Sequence, residues 1–286
     1  MVDKIKIGII RGGANERYAS SLVKGGEAIL HIHNNLSDKY KVIDILIDKN
    51  NRWHINGIPI LPIDLMRKID VAWNLSQDAD VSMILNNLSI PNIENDSFLR
   101  GLENNNDMLQ IHLKNIGVKM PRFIISPKNA REVFEKFSSP WVVKINNEIK
   151  LVKTFNELIE TIKDENNIIV EEFIEGTVSS VYSLTGFRGE DVYVLPPQNF
   201  SISEKEKIIN LVKNLHKHLG VKHYLKSDFI LHPRRGFFLT SINLSPDLRK
   251  ESHFEQSCKA IGAETHHVIE HILKRALDRK TYRGIV

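Results

Sequence analysis

Few residues in this sequence announce chemistry on their own, and spacing decides what each can do. Gly12-Gly13 follows an apolar run, which is half of a dinucleotide-binding fingerprint, but the third glycine that brings a helix close to a pyrophosphate is absent. His267 and His271 stand one helical turn apart beside His266 and Glu270. That spacing allows two metal contacts, yet no third ligand is apparent, and a solvated helix face is the simpler reading. Cys258 is the only cysteine, which excludes an intramolecular disulfide and a cysteine-rich zinc site. There is no Gly-x-Ser-x-Gly elbow and no arguable Ser/His/Asp set. Lys213, Lys217, Lys222 and Lys226 form the densest basic cluster. The rest of the +4 formal charge is spread along the chain among acidic residues. This pattern fits a solvated surface better than a nucleic-acid face, so no nucleic-acid partner is expected.

Holding any such residue in place takes a core, and 286 residues with 42% hydrophobic and 26% charged side chains supply one. The start lacks the apolar stretch of a secretory leader, and no run approaches the roughly 18 apolar residues of a membrane span. A cytoplasmic protein without membrane attachment is expected. Strands are predicted at 4–10, 42–47 and 69–74, with a helix over 16–31 between the first two, a pattern that implies βαβ units and a parallel sheet. Asn56-Gly57 between two short apolar runs predicts a tight hairpin. Helical spacing recurs over 97–117, interrupted at Asn104-Asn105-Asn106. Strands over 141–145 and 168–174 flank a helix over 154–162, and the strand over 178–185 pairs with 192–194. A helix over 203–219 has Ser203 and Glu206 as its capping box. Strands over 224–231 and 236–242 and a helix over 263–277 complete the chain.

Four segments, in order, resemble the D-alanine–D-alanine ligase family of the ATP-grasp superfamily. They are Gly12-Gly13 with Glu16-Arg17 and Ser20-Ser21; Leu113 to Pro121; Val142-Val143-Lys144 followed by Val170 to Gly176; and Ser227-Asp228-Phe229 followed by Phe238 to Asn243. The resemblance implies an α/β ATP-grasp fold: an N-terminal α/β domain over 1–96, a central subdomain over 97–180 and a C-terminal α+β subdomain over 181–286. It also implies ATP and Mg²⁺ as cofactors and a small-molecule substrate, D-alanine or another amino acid. Ligation would pass through an acyl phosphate, as in peptidoglycan precursor synthesis. By the same resemblance, Lys144 meets the ATP phosphates, and Glu171, Phe173 and Ile174 hold the adenine. Asp228 and Asn243 bind the metal, Glu16 meets the first substrate's ammonium, Ser252 the second substrate's carboxylate, and Lys226 the reaction's developing charge. A homodimer is compatible with it.

Departures from the family pattern mark the chain as a degenerate member. Asn106 stands where a second ATP-contacting lysine is expected, and the Lys144–Lys150 segment has no glycine to build a phosphate-cradling loop. Val178 replaces a ribose-binding glutamate and Ser241 a metal-bridging one. Lys226 replaces an arginine, which presents a planar fork that a lysine lacks. Asp247 takes the place of an oxyanion-hole glycine, where a carboxylate would repel charge. The histidine and Gly-Glu-Asp-Gly stretch is unrecognisable around 74–80, and the covering loop is reduced to about 195–199. An inactive relative acting as a binding or regulatory protein is therefore the alternative to a ligase.

Overall fold

The computed structural model describes residues 3–76, 78–93, 95, 97–145, 148–163, 168–197 and 200–283, with side chains described to Asp278 and only the backbone of Ala79 and Asn115. Gln77, Asn146, Asn147, Gln198 and Asn199, which belong to the divergent stretches, lie outside the described residues. The chain divides into two compact units, one of residues 1–106, 180–226 and 243–286, the other of 107–179 and 227–242.

The first unit opens with β1 (Ile5–Gly12), α1 (Tyr18–Asn35), β2 (Tyr40–Ile47), β3 (Trp53–Ile55), β4 (Ile58–Ile60), β5 (Val71–Asn74), α2 (Ala79–Asn87), β6 (Asn92–Ile93) and α3 (Ser97–Asn104). Its sheet has the order β4-β3-β2-β1-β5-β6. β1 runs parallel to β2 and β5, as the predicted crossovers require. Helices cover both faces, so β1 reads as a nearly unbroken apolar run. Ile7 and Ile9 pack with Ala28 and Ile32 of α1, while Ile10 packs with Val81 and Leu85 of α2. The β3–β4 turn has positive φ at both Asn56 and Gly57, the geometry that Asn-Gly favours. Gly12 ends β1 at φ +90, and a Cβ there would lie 2.1 Å from the Ile47 carbonyl oxygen. Only glycine fits that position.

The second unit contains α4 (Asn106–Leu113), β7 (Phe123–Ile125), α5 (Ala130–Lys136), β8 (Trp141–Ile145), β9 (Glu148–Val152), α6 (Phe155–Ile162) and β10 (Ile169–Glu172). Its sheet has the order β7-β10-β8-β9, and its core joins Val133 and Leu158 of the helices to Trp141, Val143 and Val170 of the strands. α6 is held by a Thr154–Glu157 capping box.

The remaining elements are β11 (Thr177–Thr185), β12 (Val192–Val194), α7 (Ile202–His218), β13 (Tyr224–His232), β14 (Gly236–Asn243), α8 (His253–Lys259) and α9 (Thr265–Arg283). Four strands form a sheet in the order β12-β11-β13-β14. Two expectations need correcting. The cap of α7 is Ser201 with Glu204, not Ser203 with Glu206. The short helix α8 was not foreseen, and Ser252 is its N-cap. Among the described residues no helix is long and apolar enough to cross a membrane.

Candidate functional site

The chemistry-bearing residues of the second unit lie on its two strand systems. Trp141 and Val143 point into the helix-covered core, so alternation sends Lys144 to the opposite face of the sheet. Val170 of β10 is likewise in the core, which places Glu171 on the face that Lys144 occupies. The register sets Lys144 opposite Ile169 and Glu171 opposite Val142, a diagonal that long side chains span. Lys144 Nζ donates to Glu171 Oε1 at 2.5 Å. The two proposed nucleotide contacts are therefore brought together and bonded to each other. Beyond them, Phe173 is partly exposed and Ile174 is buried. Gly176 packs against β13, where a Cβ would sit 2.2 Å from the Leu231 carbonyl oxygen.

Asp228 on β13 is half-buried. Its Oδ2 accepts from Ser241 Oγ of β14 at 2.9 Å, while its carbonyl accepts from Thr240 Oγ1. The hydroxyl that replaces the expected glutamate thus bonds the carboxylate that remains. Asp228 is the only acidic residue of 227–242, and the described residues hold no group of three or more histidine, cysteine or acidic side chains suited to a metal. Such a donor set cannot cage a cation by itself. It does fit magnesium, which is commonly held by one or two carboxylates together with substrate phosphates and water.

A further charged group in this unit escaped the sequence reading. The buried Glu172 accepts from Arg122 Nε at 2.8 Å and from Arg235 Nη1 at 2.6 Å. Burial alone would raise its pKa, but the bonds to the two guanidinium groups outweigh that and hold the carboxyl at about 2. The group ties the end of β10, next to Glu171, to β7 and to the β13–β14 turn. Its members lie 50 and 63 positions apart, so no local pattern in the sequence could show them as partners.

In the first unit, Glu16 is exposed in the turn before α1, which begins at Tyr18 instead of at Glu16. Asn74 and Ser76 occupy the divergent stretch, where Asn74 Oδ1 accepts from the Ser76 hydroxyl at 2.6 Å within a buried network. Asn243 Oδ1 accepts from Ser245 N, which fixes the start of the loop that follows β14. Asp247 does not project a bare carboxylate. Arg249 grips it with two bonds of 2.8 and 2.7 Å, and these bonds, with Lys226 adding a smaller pull, hold its carboxyl below the usual range. Ser252 is committed as well: its hydroxyl donates to Asp247 O at 3.0 Å and accepts from Glu255 N at 3.2 Å.

The chain is similar to known proteins over most of its length. A family model described as D-ala D-ala ligase C-terminus matches residues 182–274. A D-alanine–D-alanine ligase from Christiangramia forsetii is 22% identical over 97% of this chain and all of its own length, and one from Clostridium botulinum is 24% identical over 96% and 99%. A crystal structure of D-alanine–D-alanine ligase from Bacillus anthracis complexed with ATP superposes with a TM-score of 0.76 at 21% identity, covering 97% of this chain and 99% of that one. The chain resembles the D-alanine–D-alanine ligases over nearly its whole length. It has their ATP-grasp fold, as its ordered segments imply. At two positions where the sequence departs from the family pattern, Ser241 bonds Asp228 and Arg249 pairs with Asp247.

Proposed function

We propose that the chain is an ATP-dependent carboxylate–amine ligase that joins D-alanine to a second D-alanine. The observation that carries this reading is the extent of the match: relatives named as such ligases align over 96–97% of this chain and nearly all of their own length. In the reaction, a carboxylate oxygen of the first D-alanine attacks the γ-phosphorus of ATP and ADP leaves. The amine of the second D-alanine then attacks the acyl carbon and displaces phosphate, losing a proton as the amide forms. Lys144 gives up Glu171 to bind a phosphate, and Glu171 turns to the adenine amino group beside Phe173 and Ile174. Asp228 and Asn243 would hold magnesium, which supplies charge neutralisation for the phosphates. Glu16 receives the first substrate's ammonium. Lys226 faces the charge that develops on the tetrahedral intermediate, and Ser252 holds the loop on which the second substrate rests. The product would enter peptidoglycan precursor synthesis in the cytoplasm, and a homodimeric assembly is compatible with this reading.

Incubation of the protein with ATP, Mg²⁺ and D-alanine, followed by mass spectrometry, tests the reading. The dipeptide should form with one ADP per bond. Binding of ATP without dipeptide would instead assign the fold to a non-catalytic role.

A further inference from the structure

One charged side chain near the proposed amino-acid site has no part in the scheme above. Helical periodicity puts Arg17, Ser21, Lys24, Ala28 and His31 along one side of α1, and Ser21 and Ala28 are buried there. Both ends of this side are anchored. Arg17 Nη2 donates to Asn104 Oδ1 of α3 at 2.5 Å, and His31 Nε2 bonds the Leu248 carbonyl at 2.8 Å. Lys24 lies between these anchors, half-buried, and its electrostatic neighbours are Glu103, Arg17, Asp247 and Arg100. Burial lowers its pKa, and Glu103 only partly offsets this.

Neither nearby carboxylate takes the ammonium as a partner. Asp247 is held by Arg249, and Glu103 Oε1 accepts from Leu244 N at 2.9 Å. Among the described residues Lys24 makes no ion pair within 4 Å and no hydrogen bond. A half-buried cation without a bonded counter-charge is costly, and its retention calls for an explanation. The neighbouring loop supplies one. The resemblance assigns the second substrate's carboxylate to Ser252, but the single O–H of Ser252 is already used on Asp247 O, and its lone pairs cap α8. A carboxylate arriving at this loop needs a donor that is not engaged.

We propose that Lys24 binds the carboxylate of the acceptor amino acid. The proposal rests on the ligase reading for the identity of the ligand, while the binding itself can be measured without turnover. D-alanine and D-alaninamide are titrated calorimetrically into the full chain, wild type and Lys24→Met. An ammonium–carboxylate bond predicts that the variant loses about ten- to hundredfold in D-alanine affinity and that the amide binds both proteins alike. Lys24→Met should melt no lower than wild type, since it removes an unpaired half-buried charge, and Lys24→Gln provides a second variant with the same expectation. In the ligation assay, KM for the acceptor should rise by a similar factor, with little change in nucleotide affinity. Unchanged D-alanine affinity in both variants, or a wild type that does not distinguish D-alanine from its amide, overturns the proposal. Absence of ADP release from wild type would overturn the ligase reading, and the calorimetry would still decide the role of Lys24.

Discussion

The two units handle charge in opposite ways. In the second, three carboxylates near the proposed nucleotide contacts are engaged within the unit: Glu171 by Lys144, Glu172 by two arginines, and Asp228 by a serine hydroxyl. In the first, the loop after β14 ties up Asn243, Asp247 and Ser252 in bonds of its own, and among the described residues Lys24 has no ion-pair or hydrogen-bond partner. The contrast separates two costs. Nucleotide binding must break an existing ion pair before it gains a phosphate contact, whereas an amino-acid carboxylate would meet a cation whose desolvation cost has already been met in folding. Under the proposed scheme, the ion pair would oppose nucleotide binding in the second unit, and the unpaired charge would favour a carboxylate in the first.

The largest test of this contrast falls on Asp228, the one carboxylate available to a metal in its strand pair. Asp228→Asn should lower ATP-dependent ligation by roughly 10²–10³-fold, the scale for losing one element of transition-state charge stabilisation. Turnover within a few-fold of wild type would remove Asp228 from the metal site. Next in size is the clamp on Glu172. Arg235→Ala leaves a buried carboxylate with one guanidinium partner in place of two, and should cost about 2 kcal/mol in urea unfolding. The same residue carries a pH signature. Its folded-state pKa of about 2 lies below the ordinary 4.5, so its stabilisation is complete above pH 4.5 and is lost as the pH falls towards 2. Arg235→Ala should flatten that loss, and parallel acid profiles for variant and wild type would contradict the clamp.

How much of this was legible beforehand depends on the range of each interaction. The parallel sheet and the Asn-Gly hairpin follow from patterns over a few residues, and they were readable. The start of α7 was not. Ser201 with Glu204 and Ser203 with Glu206 offer the same signature, and the apolar stripe does not choose between them. α8 is seven residues long, too short for helical spacing to declare itself. For Asp247 the sequence showed only a carboxylate in an unfavourable place; the structure shows Arg249, two residues on, neutralising it. The Glu172 clamp depends on chain folding over dozens of positions, and no local rule reaches that far.

Two smaller effects sharpen the comparison. Ser241→Glu restores a second carboxylate beside Asp228, and should lower the magnesium concentration needed for half-maximal activity by about tenfold, equivalent to about 1.4 kcal/mol. Without magnesium the same variant should be less stable than wild type, because two carboxylates then share one site. An unchanged magnesium requirement would mean that position 241 does not face the metal. Glu171→Gln frees Lys144 from its ion pair, and should raise affinity for inorganic tripolyphosphate by about threefold, the modest value of a partly exposed pair. A weaker affinity would show that Glu171 orients Lys144 for phosphate instead of competing for it.

The most direct test of the ligase itself follows oxygen. With D-alanine carrying ¹⁸O in its carboxylate, together with ATP and Mg²⁺, each ligation through an acyl phosphate moves one labelled oxygen into the released inorganic phosphate. One ¹⁸O per phosphate, matched by one ADP and one dipeptide, is the predicted result. Phosphate released without label would mean that water and not D-alanine attacks ATP, and no phosphate release at all would mean that this fold does not carry out the reaction.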